Sequence, residues 1–191
     1  MKLFTLPGWQ GSGPDHWQTL WEAELGAVRV EQADWLWPRR GDWMARLDEV
    51  LLDACDPGSP STQAVLVAHS LGCQLVAAWA EHSRHTGLVR AALLVAPPDV
   101  ERDDMPPNLF NWRPIRRSRL PFDAIAVISN DDPYGTPERT AGMAADWGAE
   151  VVDIGACGHI NDRSGLGAWP QGKALLRSLV NDDRPETSME R

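Results

Sequence analysis

The sequence predicts a doubly wound α/β fold: a mostly parallel six-stranded sheet with helices on both faces. Three observations carry this expectation. Apolar runs such as "AVLVAH" (64–69) and "AALLVA" (91–96) lack polar alternation, as suits parallel strands buried on both sides. Segments of helical periodicity separate the runs. Polar, often glycine-rich stretches follow several of them, and in such sheets ligands bind beyond the carboxyl ends of the strands.

In chain order, strands are expected at 2–7, 28–33, 64–69, 91–96, 124–129 and 150–155. The first helix is expected over 14–26. There Trp17, Leu20, Trp21 and Leu25 share a face, Ser12 or Gly13 caps the start and Gly26 stops it. The second, 42–54, carries a stripe of Trp43, Leu47, Val50, Leu51 and Ala54. The third, 71–87, ends at Gly87. The fourth, 136–148, has Thr136 as N-cap, Pro137 as first residue and Gly148 as stop. The last, 169–181, is apolar at Leu175, Leu176, Leu179 and Val180. One domain spans 1–181, and the polar segment 182–191 is expected to be disordered.

At 191 residues the chain can bury a sizeable core without a disulfide or metal staple. Cys55, Cys73 and Cys157 are odd in number and lack paired spacing, so they predict neither a disulfide framework nor a zinc site. A net charge of −9 argues against nucleic acid and anionic membranes as partners. "MKLFTLPGWQ" reaches Pro7 before an apolar region of signal-peptide length can form. No run approaches a membrane span. A cytoplasmic protein is expected. Ten tryptophans stand against one tyrosine and three phenylalanines. Core packing is the plain reading, and the wall of an apolar pocket is the alternative.

The segment "AHSLG" (68–72) joins a strand pattern to a helix pattern. It matches the turn G-x-S-x-G, with Ala68 in place of the first glycine. In that turn a serine is lifted clear of the sheet at the start of a helix, and its flanking positions must be small because strand and helix nearly touch. The alternative is a serine that merely caps a helix. A serine hydroxyl needs a base to become a nucleophile, and the base needs an orienting acid. The chain order Ser, Asp, His is met by Ser70, then Asp131 or Asp132, then His159, each just after a strand. Among the five histidines, His159 alone follows the last strand, in "GACGHIND". Asp132 is the favoured acid because Pro133 stiffens the turn after it, and Asp131 then serves the loop's own N–H groups. An oxyanion would need backbone donors. These are expected from Leu71 and from Trp9 in "PGWQGSG", with Gln10 as runner-up. Trp9 and Gln10 are expected to border the substrate.

With these residues identified, the chain resembles a small α/β-hydrolase family that includes retinoblastoma-binding protein nine and its bacterial relatives. The resemblance lies in "PGWQGSGPDHWQTLWE", "VAHSLGC", "SNDDPYGTP" and "GACGHIND" and spans roughly residues 2–180. It implies a three-layer α/β-hydrolase fold without a large cap domain. It also implies a triad of Ser70, Asp132 and His159, with no cofactor and no metal. An L-x-C-x-E segment is absent, because "LGCQL" ends in Leu75, so no retinoblastoma-type partner is carried over.

The expected activity is hydrolysis of small carboxylic esters, with amides less favoured, through an acyl-enzyme. Two other functions compete. In a dinucleotide-binding protein, Asp34 would take the ribose, but the glycines at 8, 11 and 13 have the wrong spacing. In a catalytically silent binding protein, the fold would serve without the chemistry. The segment 97–123 is long enough only for a small flap. Its Arg116, Arg117 and Arg119 either draw an acidic substrate or are balanced by Asp99, Glu101, Asp103 and Asp104.

Overall fold

Side chains alternate along the central strands between two separate apolar cores, and this alternation makes the layers. In the computed structural model, residues 1–180 are described. The expected disordered tail, 182–191, lies outside them. Among the described residues there are six strands: β1 (Lys2–Leu6), β2 (Val28–Arg29), β3 (Ala64–His69), β4 (Val89–Val95), β5 (Asp123–Ile128) and β6 (Glu150–Asp153). All pair in parallel, in the order β2-β1-β3-β4-β5-β6. Five α-helices are described with them: α1 (Trp17–Leu25), α2 (Arg40–Ala54), α3 (Leu71–His82), α4 (Pro137–Trp147) and α5 (Pro170–Val180).

On one face, Leu66, Ala68, Leu94 and Ala126 meet α2, α3 and α4 through Leu47, Leu75 and Met143. On the other, Val65, Val67, Leu93 and Val127 meet α1 and α5 through Trp17, Trp21, Leu176 and Leu179. Strands buried on both faces have no polar side, which is why their sequences run apolar without alternation. Seven of the ten tryptophans are fully buried in these cores: Trp17, Trp21, Trp43, Trp79, Trp112, Trp147 and Trp169. Trp37 is exposed.

Several elements depart from expectation for local reasons. β2 stops at Arg29 instead of running to 33. Val30 N–H still donates to Thr5 O at 2.9 Å, but the next ladder bond would need an N–H at Pro7, which has none. α1 starts at Trp17, later than predicted, and its cap is His16 rather than Ser12 or Gly13. The His16 Nδ1 accepts from Gln18 N–H. Gln18, not Leu25, joins Trp17 and Trp21 on the buried side. α3 ends at His82, before Gly87. Ser83 Oγ donates to Asp48 at 2.6 Å and accepts from His85 N–H, a local arrangement that competes with another helical turn. α4 has the predicted Thr136 cap, Pro137 start and left-handed Gly148 stop.

The segment between β4 and β5 is no solvated loop. It buries Val100, Met105, Leu109, Trp112, Ile115 and Leu120 against the face that carries α2, α3 and α4. Two of its arginines pair with helix residues, while Arg102 pairs with Asp104 of its own segment. Arg116 pairs with Glu81 of α3 at 3.3 Å, and Arg117 with Asp146 of α4 at 2.8 Å.

Candidate active site

The turn after β3 has the geometry its sequence suggests. Ser70 adopts φ 53° and ψ −123°, a left-handed conformation rare outside glycine. Such a residue stores on the order of 1–3 kcal/mol, so its surroundings must hold it. Two glycines make room. A Cβ on Gly72 would lie 2.2 Å from the carbonyl oxygen of Leu6, and one on Gly8 would lie 2.7 Å from the Ser70 Cβ. Ala68, two positions before the serine, is fully buried in the core beneath.

His159 follows β6 on a loop tied at several points. Asp131 Oδ1 accepts from Ser129 Oγ at 2.8 Å and from Gly158 N–H at 2.7 Å. Ser129 Oγ in turn accepts from Cys157 N–H at 2.9 Å. Ser164 Oγ donates to the Cys157 carbonyl at 2.6 Å. From α1, Trp17 Nε1 donates to the Ile160 carbonyl at 2.8 Å. The Ser129 hydroxyl, with the Gly158 amide, holds the Asp131 carboxyl below its ordinary pKa.

This scaffold brings three of the predicted side chains together. His159 Nε2 lies 2.8 Å from Ser70 Oγ. His159 Nδ1 lies 2.9 Å from Asp132 Oδ2 and 3.0 Å from Oδ1. Asp132 Oδ1 also accepts from Tyr134 N–H at 2.9 Å. The His159 and Asp132 side chains are 9% and 6% exposed, so solvent screens their contact little. Of the two adjacent carboxylates, Asp132 faces the imidazole while Asp131 is occupied by the loop.

A cavity of about 370 Å³ opens beside Ser70, bordered by Gly8, Trp9, Gln10, Leu71 and His159. Leu71 is the first residue of α3, so its N–H has no acceptor within the helix. The Gln10 N–H donates to the Trp35 carbonyl at 3.1 Å. The Trp9 N–H has no acceptor among the described residues. The Trp9 indole packs against the core and donates to the Leu36 carbonyl at 3.0 Å. Pro98, Met105 and Leu109 also line the cavity and supply apolar surface.

The serine hydrolase family model matches residues 3–178. The chain belongs to the serine hydrolase family. Among solved structures it is similar to a ydeN-like hydrolase from Pectobacterium atrosepticum, with 25% identity and a TM-score of 0.79. That match covers 93% of this chain and 89% of the other. It is also similar to the ydeN gene product of B. subtilis (20% identity, TM-score 0.67, 93% and 97% covered). Est1E from Butyrivibrio proteoclasticus shares the fold at 12% identity and a TM-score of 0.65, with 94% and 88% covered. The molecule therefore has the α/β-hydrolase fold, without a large cap domain. No curated protein matches the sequence significantly.

Several residues bordering the cavity of this serine hydrolase were not picked out by sequence reasoning. Tyr134 sets its ring edge-on to His159 at 4.5 Å, and its place in "NDDPYG" was the available signal. Met105 and Leu109 had no such signal, because they reach the cavity only through the packing of an irregular segment. Arg116, Arg117 and Arg119 do not border it. Asp34, the ribose-binding candidate, instead accepts from Leu36 and Trp37 N–H groups in a turn, which lowers its pKa. Cys73 is fully buried beneath the turn and burial pushes its thiol well up, so it stays a thiol. Among the described residues no helix is long and apolar enough to cross a membrane.

Proposed function

We propose that this serine hydrolase cleaves small carboxylic esters, with amides less favoured, through an acyl-enzyme formed on Ser70. His159 Nε2 takes the hydroxyl proton as Oγ attacks the carbonyl carbon. The His159 Nδ1–H donates to Asp132, which holds the tautomer and stabilises the imidazolium. The Leu71 and Trp9 N–H groups receive the negative oxygen. As the intermediate collapses, His159 returns its proton to the leaving alcohol oxygen. Water, deprotonated by the same ring, then attacks the acyl carbon and Ser70 is regenerated as the acid departs.

The observation that carries this reading is the 2.8 Å contact between His159 Nε2 and Ser70 Oγ, backed by Asp132 on the other ring nitrogen. That contact is the geometry general-base activation needs. No cofactor takes part in these steps. We place the protein in the cytoplasm and in the branch of the family around retinoblastoma-binding protein nine. The motifs at 7–22 and 155–162 support the family placement.

A fluorophosphonate probe and a series of p-nitrophenyl esters of increasing acyl length test the proposal together. Covalent labelling at Ser70, lost in Ser70→Ala, with turnover of short-chain esters, is the expected result. Folded protein that neither labels nor turns over any ester would leave a silent binding protein as the better reading.

A further inference from the structure

We propose that His69 is a positioning residue: it holds the backbone of His159 through a hydrogen bond and so sets the approach of that ring to Ser70. The catalytic consequence rests on the reading of Ser70 and His159 as nucleophile and base. The positioning itself rests on geometry alone.

His69 ends β3, immediately before Ser70, and is 5% exposed. Its Nε2 lies 2.9 Å from the carbonyl oxygen of His159. A carbonyl can only accept, so Nε2 carries the proton. Among the described residues no other group donates to that carbonyl. The ring is packed between those of His16 at 4.7 Å and His159 at 4.9 Å, so it has little freedom to turn away. Burial keeps it neutral, with its pKa well below the ordinary histidine value.

The segment it holds needs holding. Gly158 and Ile160, on either side of His159, have φ of +55° and +47°. For a β-branched residue such as Ile160 this is a strained conformation that relaxes unless neighbours oppose it. Trp17 anchors the Ile160 carbonyl, and His69 anchors the one before it. One strand end thus supplies both the Ser70 hydroxyl and the tether of its partner. A change in the tether alters the separation of Oγ and Nε2 directly, and a displacement of about 1 Å at a reacting centre can cost on the order of 100-fold in rate.

The test compares His69→Leu, which keeps bulk but loses the donor, with His69→Gln, whose amide nitrogen reaches as far as Nε2. Hydrogen exchange at the Cys157, Gly158 and Ile160 amides reports the tether without any need for turnover. Faster exchange in His69→Leu, restored in His69→Gln, is expected. On p-nitrophenyl acetate, His69→Leu should lower kcat about 10- to 100-fold with KM within about twofold, and His69→Gln should stay within about threefold of the parent. Unchanged exchange in His69→Leu overturns the inference. So does equal impairment of both variants, which would assign the effect to ring packing. If exchange behaves as expected but the parent protein hydrolyses no ester, the tether stands and the proposed function fails. Should His69→Leu not fold, His69→Met takes its place in the same comparison.

Discussion

Ser70 Oγ and His159 Nε2 lie 2.8 Å apart although 89 positions separate them in the chain. The first is raised by a strained turn between β3 and α3, and the second descends from the loop after β6. Neither loop would hold its side chain alone. Each is wedged by close backbone contacts and by side-chain hydrogen bonds from other elements, and the consequences can be measured.

Asp132 and Asp131 should be separable by mutation. Asp132→Asn removes the carboxylate facing His159 Nδ1 and should lower kcat by about 10³- to 10⁴-fold. Asp131→Asn loosens the loop at Gly158 but leaves that carboxylate in place, so a loss of about tenfold is expected. Steady-state kinetics on one ester decides between them, and a reversed ranking would assign the acid to Asp131.

Gly8 and Gly72 should fail in different ways when changed to alanine. At Gly72 the new Cβ meets the Leu6 carbonyl, which is strand backbone and cannot yield, so a loss of about 3 kcal/mol in urea unfolding is expected. At Gly8 it meets the Ser70 Cβ, so the serine shifts and kcat falls more than stability does. A Gly72→Ala protein as stable as the parent would contradict the close packing of strand and helix.

Gln18 should matter more than its polarity suggests. It is fully buried, accepts from Ser12 Oγ at 2.7 Å and donates to the Val67 carbonyl at 2.9 Å. It therefore ties the loop bearing Trp9 to the strand that leads into Ser70. Gln18→Leu leaves the Ser12 hydroxyl without its partner and removes a second donor from the Val67 carbonyl, and should cost about 1–3 kcal/mol, with a fall in kcat as the loop loosens. Chemical denaturation and kinetics read the two effects, and no change in either would remove the tie from the account.

Stability should fall in mild acid because of His16. Burial, the largest cause, lowers its pKa from 6.5 to about 4. Between those values the unfolded chain binds a proton that the folded protein refuses. Its stabilisation is complete above pH 6.5 and declines as pH falls toward 4, by up to about 3 kcal/mol. His16→Asn keeps an N-cap but cannot titrate. Urea midpoints at pH 7 and pH 4.5 should therefore differ less in this variant than in the parent, and an equal difference would remove His16 from the acid response.

Parts of this molecule were legible from local chemistry. Apolar runs announced strands buried on both faces, and Thr136, Pro137 and Gly148 marked a helix at both ends, because caps and burial act within a few residues. The small positions around Ser70 announced a tight turn for the same reason. By itself, then, the sequence determined the order of strands and helices and the types of residue standing at the strand ends. Only the tertiary structure decided that Asp132 rather than Asp131 faces His159, that the Gln10 N–H is taken by Trp35, and that Arg116 and Arg117 pair with α3 and α4. Each of these is a contact between segments remote in sequence. Which of two adjacent groups meets a distant partner depends on how the intervening layers pack, and no local pattern records that.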